Sequence, residues 1–285
     1  MFRQKGLSLS KALFYAYAIL VLIFTLGPLV IVTILAFNNN PSASFPWQGF
    51  TLDWFKASTP GRVGFFDDAR MISAVIVSLK VAVLVTLISV ALGVNNAFLF
   101  VRYKFVGQNF LYLLMLGPLV VPGVVLGTSI LAFSYGIANG LDKMFGAGAG
   151  TFLRPGFWLV VAGQVSFVAT TTTLVIVARL KRFDPALEEA AMDLGSSRLE
   201  AVRLITLRFL APAMIGAAII AFLFSFENFN TTYFLSGSDP TMPILLYSRL
   251  RFGITPEINA VSVLLMMVTG VLGFLAFAFQ KEDAA

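Results

Sequence analysis

Within residues 174–223, a polar segment, EAAMDLG at 189–195, separates two long apolar runs. The run before it contains LVIVA at 174–178, and the run after it contains AAIIAFL at 217–223. A helix needs about 20 mostly apolar residues to cross a bilayer. The pattern therefore predicts two membrane-spanning helices joined by a short polar segment on one side of the membrane.

The composition of the whole chain agrees with a membrane protein. Of its 285 residues, 58% are hydrophobic and only 12% are charged, whereas soluble domains carry about 25% charged residues. The chain has no Cys and no His, which excludes disulfides, thiol chemistry, His-ligated metals and a His general base. No cofactor is expected. The net charge of +6 fits basic residues flanking membrane spans better than nucleic-acid binding.

Apolar segments of sufficient length predict an all-α membrane protein with about six transmembrane helices. The predicted spans are 12–37, 71–100, 110–136, 157–179, 204–235 and 258–279. We expect one transmembrane domain over 12–280, between a cytoplasmic N-terminus at 1–11 and a cytoplasmic tail at 281–285. Within the third span, Gly117-Pro118 and Pro122-Gly123 predict a kink or a late start, because proline lacks the backbone donor.

The basic residues predict the orientation of these spans. With the N-terminus inside, the inner segments carry twelve Lys and Arg residues and the outer segments carry seven. Because cytoplasmic loops are richer in Lys and Arg, we expect both termini, and the polar loop at about 180–203, in the cytoplasm.

The polar loop has the start and stop signals of two short helices. Asp184 and Pro185 suit a helix start, and Gly195 suits a left-handed end. Ser197 and Glu200 have the spacing of a capping box for a second helix. Two interpretations remain open: a capped hairpin without a partner, or a surface that a soluble protein approaches closely at the small alanines.

The same loop resembles a known signature. EAA at 189–191, Gly195 and ITL at 205–207 are similar to the EAA motif of permease subunits of ABC importers. That motif ends in Leu-Pro, whereas this chain has Leu207-Arg208, with Pro212 one turn later. The resemblance extends from about residue 12 to 280 and is closest to the second permease of spermidine/putrescine-type systems. It implies the type I ABC importer permease fold, with the loop as a coupling helix.

The resemblance also implies partners and a contact surface. In this family the coupling helix docks on a dimer of ATPase subunits, here through Glu188, Glu189, Ala190, Ala191, Asp193, Leu194 and Gly195. The chain lacks the Gly-x4-Gly-Lys-Ser/Thr loop of nucleotide sites, so we expect a transport subunit, not an enzyme. A second permease, favoured as a paralogue, and a periplasmic solute-binding protein complete the expected complex in the bacterial inner membrane.

The fifth predicted span carries the candidate solute path. Glu227 is costly in apolar surroundings unless it faces a partner or a water-filled cavity, and nearby aromatic rings could contact an ammonium group. The candidate residues are Phe226, Glu227, Asn228, Phe229 and Tyr233. In the polyamine-type permeases that this segment resembles, the matching pair of positions is acidic. Here the second position is Asn228, which leaves room for a monocation or a zwitterion. Alternatively, Glu227 pairs with Lys80 or with the partner permease.

Other function classes remain as alternatives. The importer could carry another solute, such as an amino acid-like compound, an opine, a phosphonate or a metal. A secondary transporter driven by an ion gradient is disfavoured by the few intramembrane carboxylates and by the lack of a visible inverted repeat. A membrane enzyme is disfavoured because no nucleophile–base pair or metal-ligand cluster is evident.

Overall fold

A computed structural model describes residues 9–56, 59, 60, 62–253 and 255–282, and these residues are almost wholly helical. The predicted termini at 1–11 and 281–285 therefore lie largely outside the described residues. The helices are α1 (Leu9–Ala36), α2 (Ala69–Arg102), α3 (Gln108–Val120), α4 (Gly123–Phe145), α5 (Phe157–Leu180), α6 (Ala186–Asp193), α7 (Arg198–Ala201), α8 (Leu207–Phe226), α9 (Thr232–Leu235), α10 (Met242–Leu250) and α11 (Pro256–Glu282).

Six helical segments of the described chain are long and apolar enough to cross a membrane, as predicted. They are Leu9–Ala36, Ala69–Arg102, Gly123–Phe145, Phe157–Leu180, Arg198–Phe226 and Pro256–Phe274. The first, second, fourth and sixth agree closely with the predicted spans. The third and fifth differ, and both differences are caused by helix-breaking residues.

The third span begins later than predicted, because the segment 110–136 holds two helices instead of one. α3 has 13 residues and ends at Val120, and α4 begins at Gly123. Val121 is extended (φ −74°, ψ 128°), the conformation that a following proline, here Pro122, imposes. The prediction is confirmed at Pro122-Gly123. At Gly117-Pro118 the helix is not interrupted, since Pro118 lies inside α3, and a kink there stays a prediction.

The fifth span is also broken. The prediction of a span over 204–235 is wrong at its end, because the helix stops at Phe226 and helical structure resumes only at Thr232. The side chain of Asn228 accepts hydrogen bonds from the backbone N–H (3.2 Å) and the hydroxyl (2.9 Å) of Thr232. An Asn side chain that bonds nearby groups in this way favours a turn over a continuing helix. We call residues 227–231 the span break.

The chain divides into two compact units, and the first comprises 1–69 and 249–267. Its loop after α1 is tied together by Asn38, whose carbonyl accepts a hydrogen bond from Trp54 Nε1 (2.8 Å). Arg62 pairs with Asp53 (3.1 Å) and lies over the Trp54 ring (4.7 Å). This long polar loop therefore has a defined structure. The prediction of one domain over 12–280 stays a prediction.

The second unit comprises 70–248 and 268–285, and α5 forms its centre. Buried residues of α5 join two apolar clusters, one around Val85 and Val168 and the other around Ile176 and Leu210. Gly93 allows α2 to approach α5 closely, since a Cβ at this position would lie 2.9 Å from the hydroxyl oxygen of Thr172 in α5. α5 is thus a buried helix, which explains why apolar residues surround its whole circumference.

Candidate functional sites

The polar loop forms the predicted helix, turn and helix. The Asp184 carboxylate accepts a hydrogen bond from Ala186 N–H (3.0 Å) at the start of α6. At the other end, Gly195 adopts φ +97° and donates to Met192 O (2.9 Å), while Ser196 donates to Ala191 O (3.1 Å). These two bonds are the Schellman arrangement, which satisfies carbonyls at a helix end and favours glycine at the left-handed position.

The capping box of the second helix is also confirmed. Ser197 N–H donates to the Glu200 carboxylate (2.8 Å), and Glu200 N–H donates to the Ser197 hydroxyl (3.4 Å). α7 continues through a π-helical turn, Val202–Thr206, into α8. The loop therefore joins the fifth span without a gap in the helix.

Glu188 differs from its neighbours, because its carboxylate faces the chain's own residues. Glu188 is 8% exposed and receives two hydrogen bonds from Arg102, at 3.0 and 2.9 Å. The Thr206 hydroxyl also donates to it, and the Arg102 guanidinium lies 5.3 Å from the centre of the Phe183 ring. The Glu188 side chain therefore faces inward, and its grouping with the docking residues stays a prediction. We call Arg102, Glu188 and Thr206 the latch, since they join α6 to α2 and to the π-helical turn.

The remaining motif residues of α6 face away from the latch. Glu189, Ala190, Asp193, Leu194 and Gly195 are exposed, and Ala191 is half-buried. Leu194 is 89% exposed. The neighbouring acidic side chains of Glu189 and Asp193 are also exposed. We call these six residues the docking face. Leu187, Met192 and Leu199 of the same loop are also exposed, so the loop presents several apolar side chains among charged ones, a composition that favours a protein-interaction site.

The span break places the candidate solute residues in two groups. Glu227 is exposed at the end of α8, where the helix dipole adds negative potential. Phe229 and Tyr233 lie together (ring centres 5.4 Å apart), whereas Phe226 is 7% exposed and stacks on Phe222. Asn228 is half-buried. The break therefore contains one exposed carboxylate, and the aromatic pair begins two residues after it in the chain.

Sequence reasoning missed a third aromatic residue at this place. Tyr247 of α10 lies 4.9 Å from Phe229 and 5.7 Å from Tyr233, measured between ring centres. Its sequence position gave no signal, because it follows an apolar stretch some distance after the break. The alternative pairing of Glu227 with Lys80 is not found: within the described part of the chain these two residues form no ion pair.

The two broken spans meet. A Cβ added to Gly127 of α4 would lie 2.8 Å from Thr231 O, and one added to Gly123 would lie 2.9 Å from Asn230 Cβ. Only glycine allows this approach. Non-helical backbone at membrane depth is tolerated where protein buries it or where it lines a cavity.

Comparisons with known proteins agree with these features. No protein-family model matches the chain. It is 34% identical over 256 residues to the putrescine transport system permease protein PotI of Escherichia coli K12, covering 89% of this chain and 85% of that protein. It is 26% identical to the spermidine/putrescine permease PotC of Haemophilus influenzae, over 94% of this chain and 96% of that protein.

A solved structure shows the same fold. The crystal structure of a bacterial ABC transporter that imports the acidic polysaccharide alginate aligns with a TM-score of 0.72 and 18% identity. The alignment covers 95% of this chain and 94% of that chain. The predicted ABC importer permease fold is therefore confirmed. By its similarity to PotI over most of its length, the chain belongs to the family of membrane-spanning permease subunits of ABC importers that includes the putrescine and spermidine/putrescine permeases.

Proposed function

We propose that this permease forms half of the pathway for a putrescine-like or another small nitrogenous solute. The observation that carries the proposal is the exposed Glu227 carboxylate at the end of a broken span, in a segment that also holds Phe229, whose ring lies near those of Tyr233 and Tyr247. A carboxylate, a helix C-terminus and aromatic faces all favour a cation. The names of PotI and PotC support the same solute class.

The proposed complex contains three further components. A separate ATPase dimer binds the docking face, a paralogous second permease completes the pathway, and a periplasmic protein delivers solute. ATP is hydrolysed on the ATPase, and both termini of this chain lie in the cytoplasm of a bacterial cell. A related alginate transporter has been solved in complex with a ligand-bound periplasmic protein, which supports the last partner.

The latch and the docking face together support a coupling role for α6. One side of the helix is fixed to α2 by Arg102, and the opposite side is exposed. A force applied by a partner to the exposed side would therefore reach a membrane span through an ion pair. This arrangement favours a docking surface over a capped hairpin without a partner.

Asn228 supports a second candidate solute class. Its amide replaces the second carboxylate of the polyamine-type segment, so the break has one negative charge fewer. A zwitterion or a monocation needs only one carboxylate for its ammonium group. Both classes keep Glu227 as the contact for that group.

The test is ATPase activity of the reconstituted complex with its binding protein, across putrescine, spermidine, amino acids and quaternary amines. We expect a polyamine to stimulate hydrolysis, and Glu227→Gln to impair uptake while the complex assembles normally. Stimulation only by a zwitterion or a monocation would change the solute class. Normal uptake by a well-assembled Glu227→Gln complex would remove Glu227 from the solute path.

A further inference from the structure

We propose that Gln164 is a positioning residue that sets the geometry of the span break and, through it, the location of Glu227. The inference rests on the proposed role of Glu227 in the solute path. Gln164 lies in the third turn of α5, next to the buried apolar residues Val160 and Val161, and it is 0% exposed. A buried amide is costly unless its donor and acceptor are both bonded.

Both ends of the Gln164 side chain are bonded, and the two partners stand on either side of the break. Its Nε2 donates to the Thr232 hydroxyl (2.7 Å), and its Oε1 accepts from the Ser225 hydroxyl. Ser225 belongs to the last turn of α8, and Thr232 is the first residue of α9. One side chain therefore bridges the helix end before the break and the helix start after it.

The bridge continues to the residue beside Glu227. The Thr232 hydroxyl, having accepted from Gln164, donates to the Asn228 side-chain oxygen (2.9 Å). One chain of hydrogen bonds therefore links Ser225, Gln164, Thr232 and Asn228. In it, the Ser225 hydroxyl donates to Gln164 and the Thr232 hydroxyl donates to Asn228. Ser225 and Thr232 are 3% and 0% exposed, so water does not replace a lost partner readily.

The opposite side of the break is held by α4, where Gly127 lies against Thr231. The segment 227–231 is therefore fixed between the glycines of α4 and the amide of α5. Removing the amide leaves the buried Ser225 hydroxyl without its acceptor and the buried Thr232 hydroxyl without its donor, so that Thr232 and Asn228 stay bonded to each other but lose their link to α5. The backbone at Glu227 then loses its anchor on one side only, while the apolar packing of α5 stays in place.

The experiment replaces Gln164 by Met, which has a similar length and no hydrogen-bonding amide. Uptake of labelled putrescine and ATP hydrolysis are measured in the reconstituted complex, both per assembled complex. We expect putrescine transported per ATP to fall by about tenfold, the scale of losing a buried hydrogen-bonded set. The matched control is Thr172→Val, which removes an equally buried bond of α5, to Ser89 O (2.7 Å), far from the break. It should leave this ratio unchanged.

A double variant separates positioning from a general structural effect. Because Gln164 acts through the location of Glu227, Gln164→Met should lower the ratio little further once Glu227→Gln is present. The inference is overturned if the ratio in the double variant falls by the product of the two single-variant factors. It is also overturned if Gln164→Met has a normal ratio while Glu227→Gln is impaired. Normal uptake in Glu227→Gln overturns the proposed solute path and this inference with it. If Gln164→Met does not assemble, Ser225→Ala, which removes one bond of the network, decides by the same measurements.

Discussion

The latch offers the sharpest test of how α6 transmits movement. Replacing Arg102 by Met keeps an unbranched apolar side chain and removes the guanidinium that binds Glu188 and lies over the Phe183 ring. The Glu188 carboxylate then keeps only one of its three hydrogen bonds, the one from the Thr206 hydroxyl. We expect α6 to separate from α2 more often, so that ATP hydrolysis continues with less solute moved.

The size of the effect follows from the geometry of the pair. Two bonds of 3.0 and 2.9 Å make a bidentate pair, the strong form of this contact. The side chains of Arg102 and Glu188 are 23% and 11% exposed, between surface and interior. Exposed pairs contribute about 0–1 kcal/mol and breaking a buried pair costs about 3–5 kcal/mol, so we expect about 2 kcal/mol here. That energy is a factor of about 30 in the equilibrium between attached and detached α6.

The assay compares solute transported with ATP hydrolysed in the reconstituted complex. Arg102→Met should lower this ratio strongly, and Lys104→Met, which removes an exposed positive charge two residues away, should not. The double variant Arg102→Met with Glu188→Met should lose less than either single variant, because no unpaired charge stays buried. An unchanged ratio in a well-assembled Arg102→Met complex would refute the reasoning, as would equal losses in the Lys104 control.

Two further predictions concern the polar loop. Glu189→Lys reverses a charge on the docking face and should reduce co-purification of the ATPase. The control, Asp239→Lys, makes the same reversal at an exposed residue outside the loop and should leave co-purification unchanged. Retention of the ATPase by both variants would argue against docking through this face. Ser197→Ala removes the hydroxyl of the capping box and should lower stability by about 1 kcal/mol in thermal unfolding. Ser196→Ala is the control for that change, and equal melting temperatures for the two variants would contradict the role of the cap.

Much of the fold could be predicted because its causes are local. A run of about 20 apolar residues crosses a membrane whatever lies around it, so the number of spans was readable from hydropathy. The two helices of the polar loop were readable for the same reason, since Asp184, Gly195, Ser197 and Glu200 act on backbone groups within a few residues. Orientation by basic residues and the partner contacts stay predictions.

The breaks in two spans were only partly readable. Pro122 forces Val121 into an extended conformation, an effect of adjacent residues, and it was predicted as a kink or late start. The end of α8 at Phe226 was missed, because apolar residues resume at 233–235 and the polar run ENFNTT at 227–232 was included in the span, although its Asn residues favour a turn. What stabilises the break is the bonding of Ser225 and Thr232 to Gln164, which lies in another helix.

Residue patterns alone therefore predicted the membrane class, four of the six spans closely, and the caps of the polar loop. Only the tertiary structure decided that Glu188 faces inward to Arg102, 86 residues away in the chain, while Glu189 beside it faces outward. It likewise decided that Tyr247 joins Phe229 and that Gln164 bridges the two sides of the break. The physical reason is that hydropathy and capping depend on neighbours in sequence, whereas a buried charge or amide is stabilised by whichever partner the packed helices bring to it.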